Sequence, residues 1–600
     1  MKVLILGGGV AGLSAAHELI DRNFEVEVFE KQEVIAGGKA RSIPVPDSAK
    51  DGRAPLPGEH GFRFFPGFYK HITDTMSRIP YKGATVLENL VETYSVMITR
   101  YGQPPIVALN HFPTSKKDLK VAFKGIMDKN TGLDFDDIEF FVDRIWQLMT
   151  SSYERRKEVY EKIGWWEFLD ADNPNRSDAY RKLFVMGLTR SLVAAKAETV
   201  STKTVGDIFL QLIFDTLDPF KDQATDRLLN GPTNDVWIDP WLDYLKSKGV
   251  KYHFNSYVKK FNIEKDNVKS VVVVKNGQDV ELEADYYISA IPVERFAELI
   301  DDDMLKADTT FRNIQALSSS VNWMNGIQFY LNKEVPINQG HIIHADTQWA
   351  LTSISQKQFW KDVDLTKYGN GKVKDILSVD ISDWFSAGLN GKKASECDVP
   401  EIKKETWEQL CKSVNNDEKT ILSDDMLENV YLDRSIEVLS FKYVQQERTV
   451  EQQIKQNFMH QPDWSRHLNE IHSHFKTINK EPLLVNKVNT WVLRPEAFTG
   501  IGNLFLASDY VRTNTDLATM EGANEAARRA VNCIITKSKS KAKLCKIWDL
   551  HEPFLLNVLR KKDKRDYAKG LPWQKDVPWW AKLTIFIFKK LGKIFKLIRR

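Results

Sequence analysis

The sequence predicts an α/β chain whose parallel sheet is assembled from separated stretches, with a helical insertion and an α+β region lying between them. Three observations carry this prediction. A glycine-rich turn joins an apolar strand to a helix at the N-terminus, a second strand–loop–helix unit lies near residue 509, and the residues between pass from helical to mixed patterning. Six hundred residues exceed what one hydrophobic core usually serves, so at least two intimately connected domains are expected. Apolar residues at 42 % and charged residues at 28 % describe an ordinary globular protein. A net charge of +3 leaves no global footprint for nucleic acid. Cys397, Cys411, Cys533 and Cys545 lack CxxC spacing, so neither a zinc site nor a disulfide scaffold is expected. Gly7, Gly8 and Gly9 interrupt the apolar core that a signal peptide needs, and no window supplies the roughly 20 apolar residues of a membrane span. A reducing, cytoplasmic setting is the expectation.

Lys2-Val-Leu-Ile-Leu6 reads as a short strand buried on both faces. Gly7, Gly9 and Gly12 then satisfy GxGxxG, and Leu13, Ala16, Leu19 and Ile20 continue at helical spacing. Gly7 permits the tight turn, Gly9 lets the backbone approach a pyrophosphate, and Gly12 lets helix and strand pack closely; the helix start, around Ala11, faces the anion. Asn23 suits a left-handed residue ending the helix. The next strand, from Val26 to Phe29, ends at Glu30, placed to accept hydrogen bonds from a ribose diol, with Lys31 beside it. Strand, glycines, helix, strand and carboxylate in this order make a Rossmann-type dinucleotide site.

Residues 37–42 read GGKARS, which resembles the GGR-x-x-S/T element of the flavin amine oxidase and phytoene desaturase superfamily. The resemblance implies that Gly37, Gly38 and the basic side chain meet the phosphates of FAD. Lys39 replaces the usual arginine and lacks its planar fork, so Arg41 is expected to share the role. Residues 59–69, EHGFRFFPGFY, are similar to the E-x-G-L-H-x-F-x-G-x-Y stretch of plant-type phytoene desaturases at Glu59, Gly61, Phe65, Gly67 and Tyr69. In that family the stretch runs beside the flavin, which places Gly61, Phe62 and Arg63 there. Arg63 stands where those enzymes carry histidine and is the candidate for orienting substrate. No catalytic base is assignable.

Between about 112 and 229 the spacing from Asp136 to Leu148 predicts a helical cap over the active site. Alternating runs from Lys251 to Leu282 suggest a small sheet, in which the resemblance makes Val258 the residue whose backbone meets adenine; ADYYISAIP, with Asp285 and Ala290, resembles the returning strand. Strands around 326–331 and 349–352 suggest the floor of a substrate domain, and His467, His472 and His474 have spacings that suit ordinary surface histidines better than a metal. Residues 503–531 resemble the C-terminal FAD signature, on which Asp509 bonds the ribityl chain and the backbone at Thr519 and Met520, opening a helix, faces the flavin O2 side. Ser508 and the pair Ala526-Ala527 depart from that signature without bulk enough to expel the cofactor.

From Pro578 the chain combines Trp579, Trp580, Phe586 and Ile587 with a stripe of Lys582, Lys589, Lys593, Lys596 and Arg600, the pattern of an interfacial helix on anionic lipid. The expected division is a discontinuous Rossmann-type FAD-binding domain (1–111, 230–299, 485–540), a helical insertion (112–229), an α+β substrate domain (300–484) and a basic membrane-associating tail (541–600). Together these imply a peripheral membrane flavoenzyme that passes a hydride from an allylic carbon of a polyene or isoprenoid lipid to flavin N5, giving desaturation or double-bond isomerisation. Quinone and oxygen both remain open as electron acceptor. The alternatives are an amine oxidase acting on a soluble amine, a fatty-acid double-bond isomerase using Arg63 to hold a carboxylate, and a flavin-binding membrane scaffold without turnover.

Overall fold

A computed structural model describes residues 1–93, 95–107, 132–187, 189–190, 195–217, 226–439 and 476–575. Five parallel strands form its central sheet in the order Lys251–His253, Glu25–Phe29, Lys2–Leu6, Tyr286–Ser289 and Leu504–Leu506. The sheet therefore draws on three separated stretches, as expected. Val3, Leu4 and Ile5 are fully buried, which is why the first strand is continuously apolar rather than alternating. The helix Val10–Ile20 crosses to the second strand, and Asn23 closes the connection at a φ of 62°. Asn524 Nδ2 donates to Ser14 Oγ at 2.8 Å, clasping this helix to Met520–Lys537, so the two halves of the site share one core.

The antiparallel sheet Ser256–Glu264, Asn267–Lys275 and Gln278–Leu282 takes up all the alternating runs but the first: Lys251–His253, expected in the same small sheet, pairs in parallel with Glu25–Phe29 in the central one instead. A seven-stranded sheet follows the order Leu427–Leu432, Asn325–Leu331, Asp375–Ile381, Leu351–Ser355, Ile342–His344, Met97–Arg100, Gln103–Val107. The hairpin at 97–107 thus belongs to the substrate sheet, and the boundary expected at 111 falls too late. Met97 pairs with Ile342 across 245 residues, a pairing no local pattern announces. Helices Phe135–Thr150 and Thr202–Leu217 form the helical insertion, the first capped by the Asp134 side chain.

The segment 541–575 is also not tail. Leu556 and Leu559 enter the apolar cluster of the helical insertion, and Asp563 of the helix Asn557–Ala568 accepts from Arg155 Nε at 2.9 Å. Residues 578–600 and the histidines at 467, 472 and 474 lie outside the described residues. No helix among the described residues is long and apolar enough to cross a membrane.

Glu18 sits between Arg22 (2.7 Å), Arg528 (3.3 Å) and Arg78, with its side chain 3 % exposed. Burial pushes this carboxyl up, but Arg528, Arg78 and Arg22 outweigh it and hold it at about 2. A depressed carboxylate contributes stability above its ordinary pKa and loses it as the pH falls toward the folded value. The Glu18→Gln protein is therefore expected to unfold at lower urea than the parent at pH 7, by ~3 kcal/mol, with the gap closing between pH 4.5 and about 2. A gap that does not change with pH would show that the ionised form contributes nothing.

Candidate functional site

Gly7 adopts a φ of 109°, and a methyl group there would stand 2.7 Å from the Ala290 carbonyl oxygen. Gly9 begins the helix Val10–Ile20 without a side-chain cap and with no acid in the first turn. A helix start leaves its first amides unpaired, with the positive end of the helix dipole beside them. Gly37 and Gly38, at φ 101° and 59°, turn toward the same place; a Cβ on Gly38 would lie 3.0 Å from Gly9 Cα. Two bare backbone turns and an uncapped helix end form a cradle that fits a pyrophosphate.

Glu30 is 7 % exposed at the end of its strand. Its Oε2 accepts from Gly8 N at 2.7 Å and its Oε1 from Gln32 N at 2.8 Å, while burial raises its pKa against those two amides. The carboxylate is thus locked beside the cradle, with lone pairs left for a ribose diol. Tyr252 was not anticipated from sequence. Its hydroxyl donates to Gly8 O at 3.0 Å and fills the space where a Gly8 side chain would be. Lys31 is exposed, and Val258 is buried on the strand whose Ser256 N–H donates to Glu30 O.

The basic residues of 37–42 behave differently from the motif. Lys39 Nζ donates to Pro482 O and stands 3.9 Å from Glu294. Arg41 is 1 % exposed; it donates to Gly38 O at 2.8 Å and Glu481 at 2.7 Å, and stands 3.8 Å from Asp433. The expectation that Arg41 shares the phosphate role is corrected: two carboxylates neutralise its guanidinium inside the protein. Arg63 donates to Gly61 O and Lys39 O, both at 2.7 Å, and so staples the glycine turn to the stretch 59–69. With both terminal nitrogens on carbonyls and Glu59 and Asp380 as its nearest carboxyls, it is poorly disposed to orient a substrate carboxylate.

Where the stretch 59–69 crosses the substrate sheet, glycine is required: a Cβ on Gly326 would lie 2.7 Å from Gly61 Cα, and one on Gly61 2.8 Å from Asp380 Oδ1. Glu59 accepts from Thr233 N at 2.9 Å and Thr233 Oγ1 at 2.7 Å, and burial lifts it to about 7 against Arg63. Alternation along the strands divides the sheet. Ile327, Phe329, Leu351 and Val379 join the apolar cluster on one face, which leaves Gln328, Thr352 and Asp380 on the face that meets 59–69. There the Phe62 and Phe64 rings lie 5.3 and 5.5 Å from that of His341, which burial lowers to about 4 and so keeps neutral.

The second half of the site starts at Leu504–Leu506. Ser508 Oγ donates to Asp509 Oδ1 at 3.3 Å, and Thr519 caps the helix by accepting from Gly522 N at 3.1 Å. The helix end at Met520 therefore keeps free amides beside Asp509's loop. Glu521 is buried rather than solvated. It accepts from the backbone of Lys70 (2.7 Å), His71 (2.8 Å) and Ile72 (2.9 Å) and from His71 Nδ1 (2.7 Å), so it caps the helix His71–Met76 and locks the two halves together. Trp548 N–H donates to His71 Nε2, which puts the ring proton on Nδ1.

The chain matches the family described as flavin containing amine oxidoreductase over residues 10–535. The 15-cis-phytoene desaturase of Synechococcus elongatus is 22 % identical over 330 residues, 53 % of this chain and 63 % of the relative. The zeta-carotene desaturase of Synechocystis sp. is 22 % identical over 320 residues, 50 % and 60 % respectively. The match thus spans less than two thirds of either relative. Among solved structures, putrescine oxidase bound to putrescine is 13 % identical with a TM-score of 0.55, covering 89 % of this chain and 99 % of that one. Cyclohexylamine oxidase from Brevibacterium oxydans is 12 % identical with a TM-score of 0.55, covering 90 % and 99 %. At these identities the structures share the fold. With its dinucleotide cradle, ribose carboxylate and second helix end in place, the chain belongs to the flavin containing amine oxidoreductase family, and its residues fit FAD.

Proposed function

We propose that the protein oxidises a lipophilic polyene or isoprenoid substrate at an allylic C–H, forming a new double bond or moving an existing one. The observation that carries this reading is the desaturase-like stretch 59–69 laid across a buried sheet face, with the rings of Phe62 and Phe64 around a neutral His341. Bound FAD supplies a two-electron acceptor. The backbone turns at Gly7–Gly12 and Gly37–Gly38 hold its diphosphate, Glu30 its ribose, and the start of Met520–Lys537 offers the positive helix end that favours negative charge. The buried sheet excludes water and aligns the reacting carbon.

The desaturase relatives support the substrate class. So does the charge distribution: residues 537–600 carry 19 Lys and Arg against 5 Asp and Glu, net +14, which leaves −11 for the rest of a chain of net +3. The interfacial pattern at 578–600 would bring the protein to anionic lipid, where such a substrate dissolves, each basic residue contributing about 1 kcal/mol. Anaerobic addition of 15-cis-phytoene or zeta-carotene in micelles is expected to bleach the visible flavin band, and putrescine, cyclohexylamine and an unsaturated fatty acid to leave it unchanged. Bleaching by an amine alone would sink the proposal in favour of amine oxidation.

A further inference from the structure

Asp380 is a carboxyl group that packs under the stretch 59–69 and takes no part in the cofactor cradle. It lies mid-sheet on Asp375–Ile381, between Gly326 of one neighbouring strand and Thr352 of the other. Its residue is 8 % exposed, the Phe62 N–H donates to it, and its Oδ1 has no hydrogen-bond partner among the described residues. Of the two acids beside Arg63, Glu59 has both oxygens committed to Thr233, so Asp380 alone keeps a free one. A carboxyl nine-tenths buried with an idle oxygen is costly to keep unless it has work elsewhere.

We propose that Asp380 is the proton acceptor of a desaturation; this rests on the polyene reading above. The substrate loses two hydrogens from adjacent carbons. One leaves with its electron pair, as a hydride, to bound FAD; the other leaves as a proton to the Asp380 carboxylate, and the electron pair of its C–H bond becomes the new C=C. Double-bond isomerisation needs no net proton acceptor, so the assignment favours desaturation. Burial raises this carboxyl to about 7 against Arg63, which leaves both protonation states accessible near neutrality. Arg63 and Glu59 are the charged groups facing it from the stretch 59–69, and its sheet neighbours Gln328, Ser378 and Thr352 are neutral.

The test compares the FAD-loaded parent with Asp380→Asn and Asp380→Glu. Flavin content per polypeptide is expected to be the same in all three. Bleaching by 15-cis-phytoene or zeta-carotene should fall about 100-fold or more in Asp380→Asn, with partial recovery in Asp380→Glu. In the parent the rate should rise with pH through about 7, and in Asp380→Asn that rise should be absent. Parent-like rate and pH profile in Asp380→Asn overturn the proposal. A second readout needs no substrate: difference infrared spectra should show a protonated-carboxyl band that disappears as pH rises through about 7 and is missing in Asp380→Asn. Its absence from the parent overturns the assignment whichever probe bleaches. Its presence, with no polyene bleaching the parent, overturns the substrate reading and with it the role in desaturation.

Discussion

Gly12→Val is expected to purify with less than a tenth of the parent's flavin. A Cβ at this position would lie 1.9 Å from the Gly7 carbonyl oxygen, well inside any tolerated contact. Gly7 cannot yield, because it is held at a φ of 109°, its N–H donates to Phe29 O at 2.9 Å, and the Ala290 carbonyl occupies its far side. The helix must then move off the strand, taking with it the amides that face the diphosphate. Overpacking of a core costs about 1–3 kcal/mol when side chains can adjust, and a backbone collision leaves less room for adjustment. The thermal midpoint should fall by several degrees along with the flavin. Gly9→Ala separates the two effects. Its Cβ would meet nothing nearer than Gly38 Cα at 3.6 Å, so the flavin-free fold should tolerate it while the cradle narrows. Normal flavin content in Gly12→Val would show that helix–strand contact does not set the geometry of the cradle.

The legible parts of the site were those whose residues act within a short stretch. The glycines at 7, 9 and 12, Glu30 at the end of its strand and the helix start at Thr519 obey spacings that one βα unit imposes, and the structure puts each where the spacing requires. What remained hidden depends on partners far away in sequence. Glu521 meets His71 across 450 residues, and Arg41 meets Glu481 across 440. No periodicity reports such a meeting, so the clasp at Glu521 went unread and Arg41 resembled a phosphate ligand. Asp380 escaped for a related reason: Ser378 and Asp380 alternate with Leu377, Val379 and Ile381 as on a half-exposed strand, and it is the distant stretch 59–69 that buries the polar face. Among the described residues the hairpin at 97–107 joins its sheet only through Ile342–His344, a strand of three residues.

Asp516→Ala should produce the largest loss of stability. Asp516 is 1 % exposed and accepts from Lys203 Nζ at 2.6 Å, Thr204 Oγ1 at 2.9 Å, Asn486 Nδ2 at 2.8 Å and Arg494. Lys203, near the start of Thr202–Leu217, is 2 % exposed, and Arg494 also donates to Asp509 O. One carboxylate therefore ties the helical insertion to the loop that carries Asp509. Removing it leaves the buried Arg494 without a carboxylate and Lys203 with Asp207 at 3.6 Å in place of its 2.6 Å partner, a defect of about 3–5 kcal/mol. Asp516 has a φ of 46°, where alanine adds strain of its own, so Asp516→Asn, which tolerates that backbone and keeps a hydrogen-bonding side chain, isolates the charge. Urea midpoints should run parent, then Asn, then Ala. The pH dependence has a definite sign. In the parent, burial pulls Lys203 down but Asp516 and Asp207 more than reverse it, so the pair stabilises at neutral pH and weakens only as pH rises through the raised value. Without Asp516 the burial effect gains weight, Lys203 gives up its proton more readily on folding, and the deficit relative to the parent should shrink from pH 7 to pH 9. A deficit under about 1 kcal/mol at pH 7, unchanged at pH 9, would mean that the cluster binds no more tightly than an exposed ion pair.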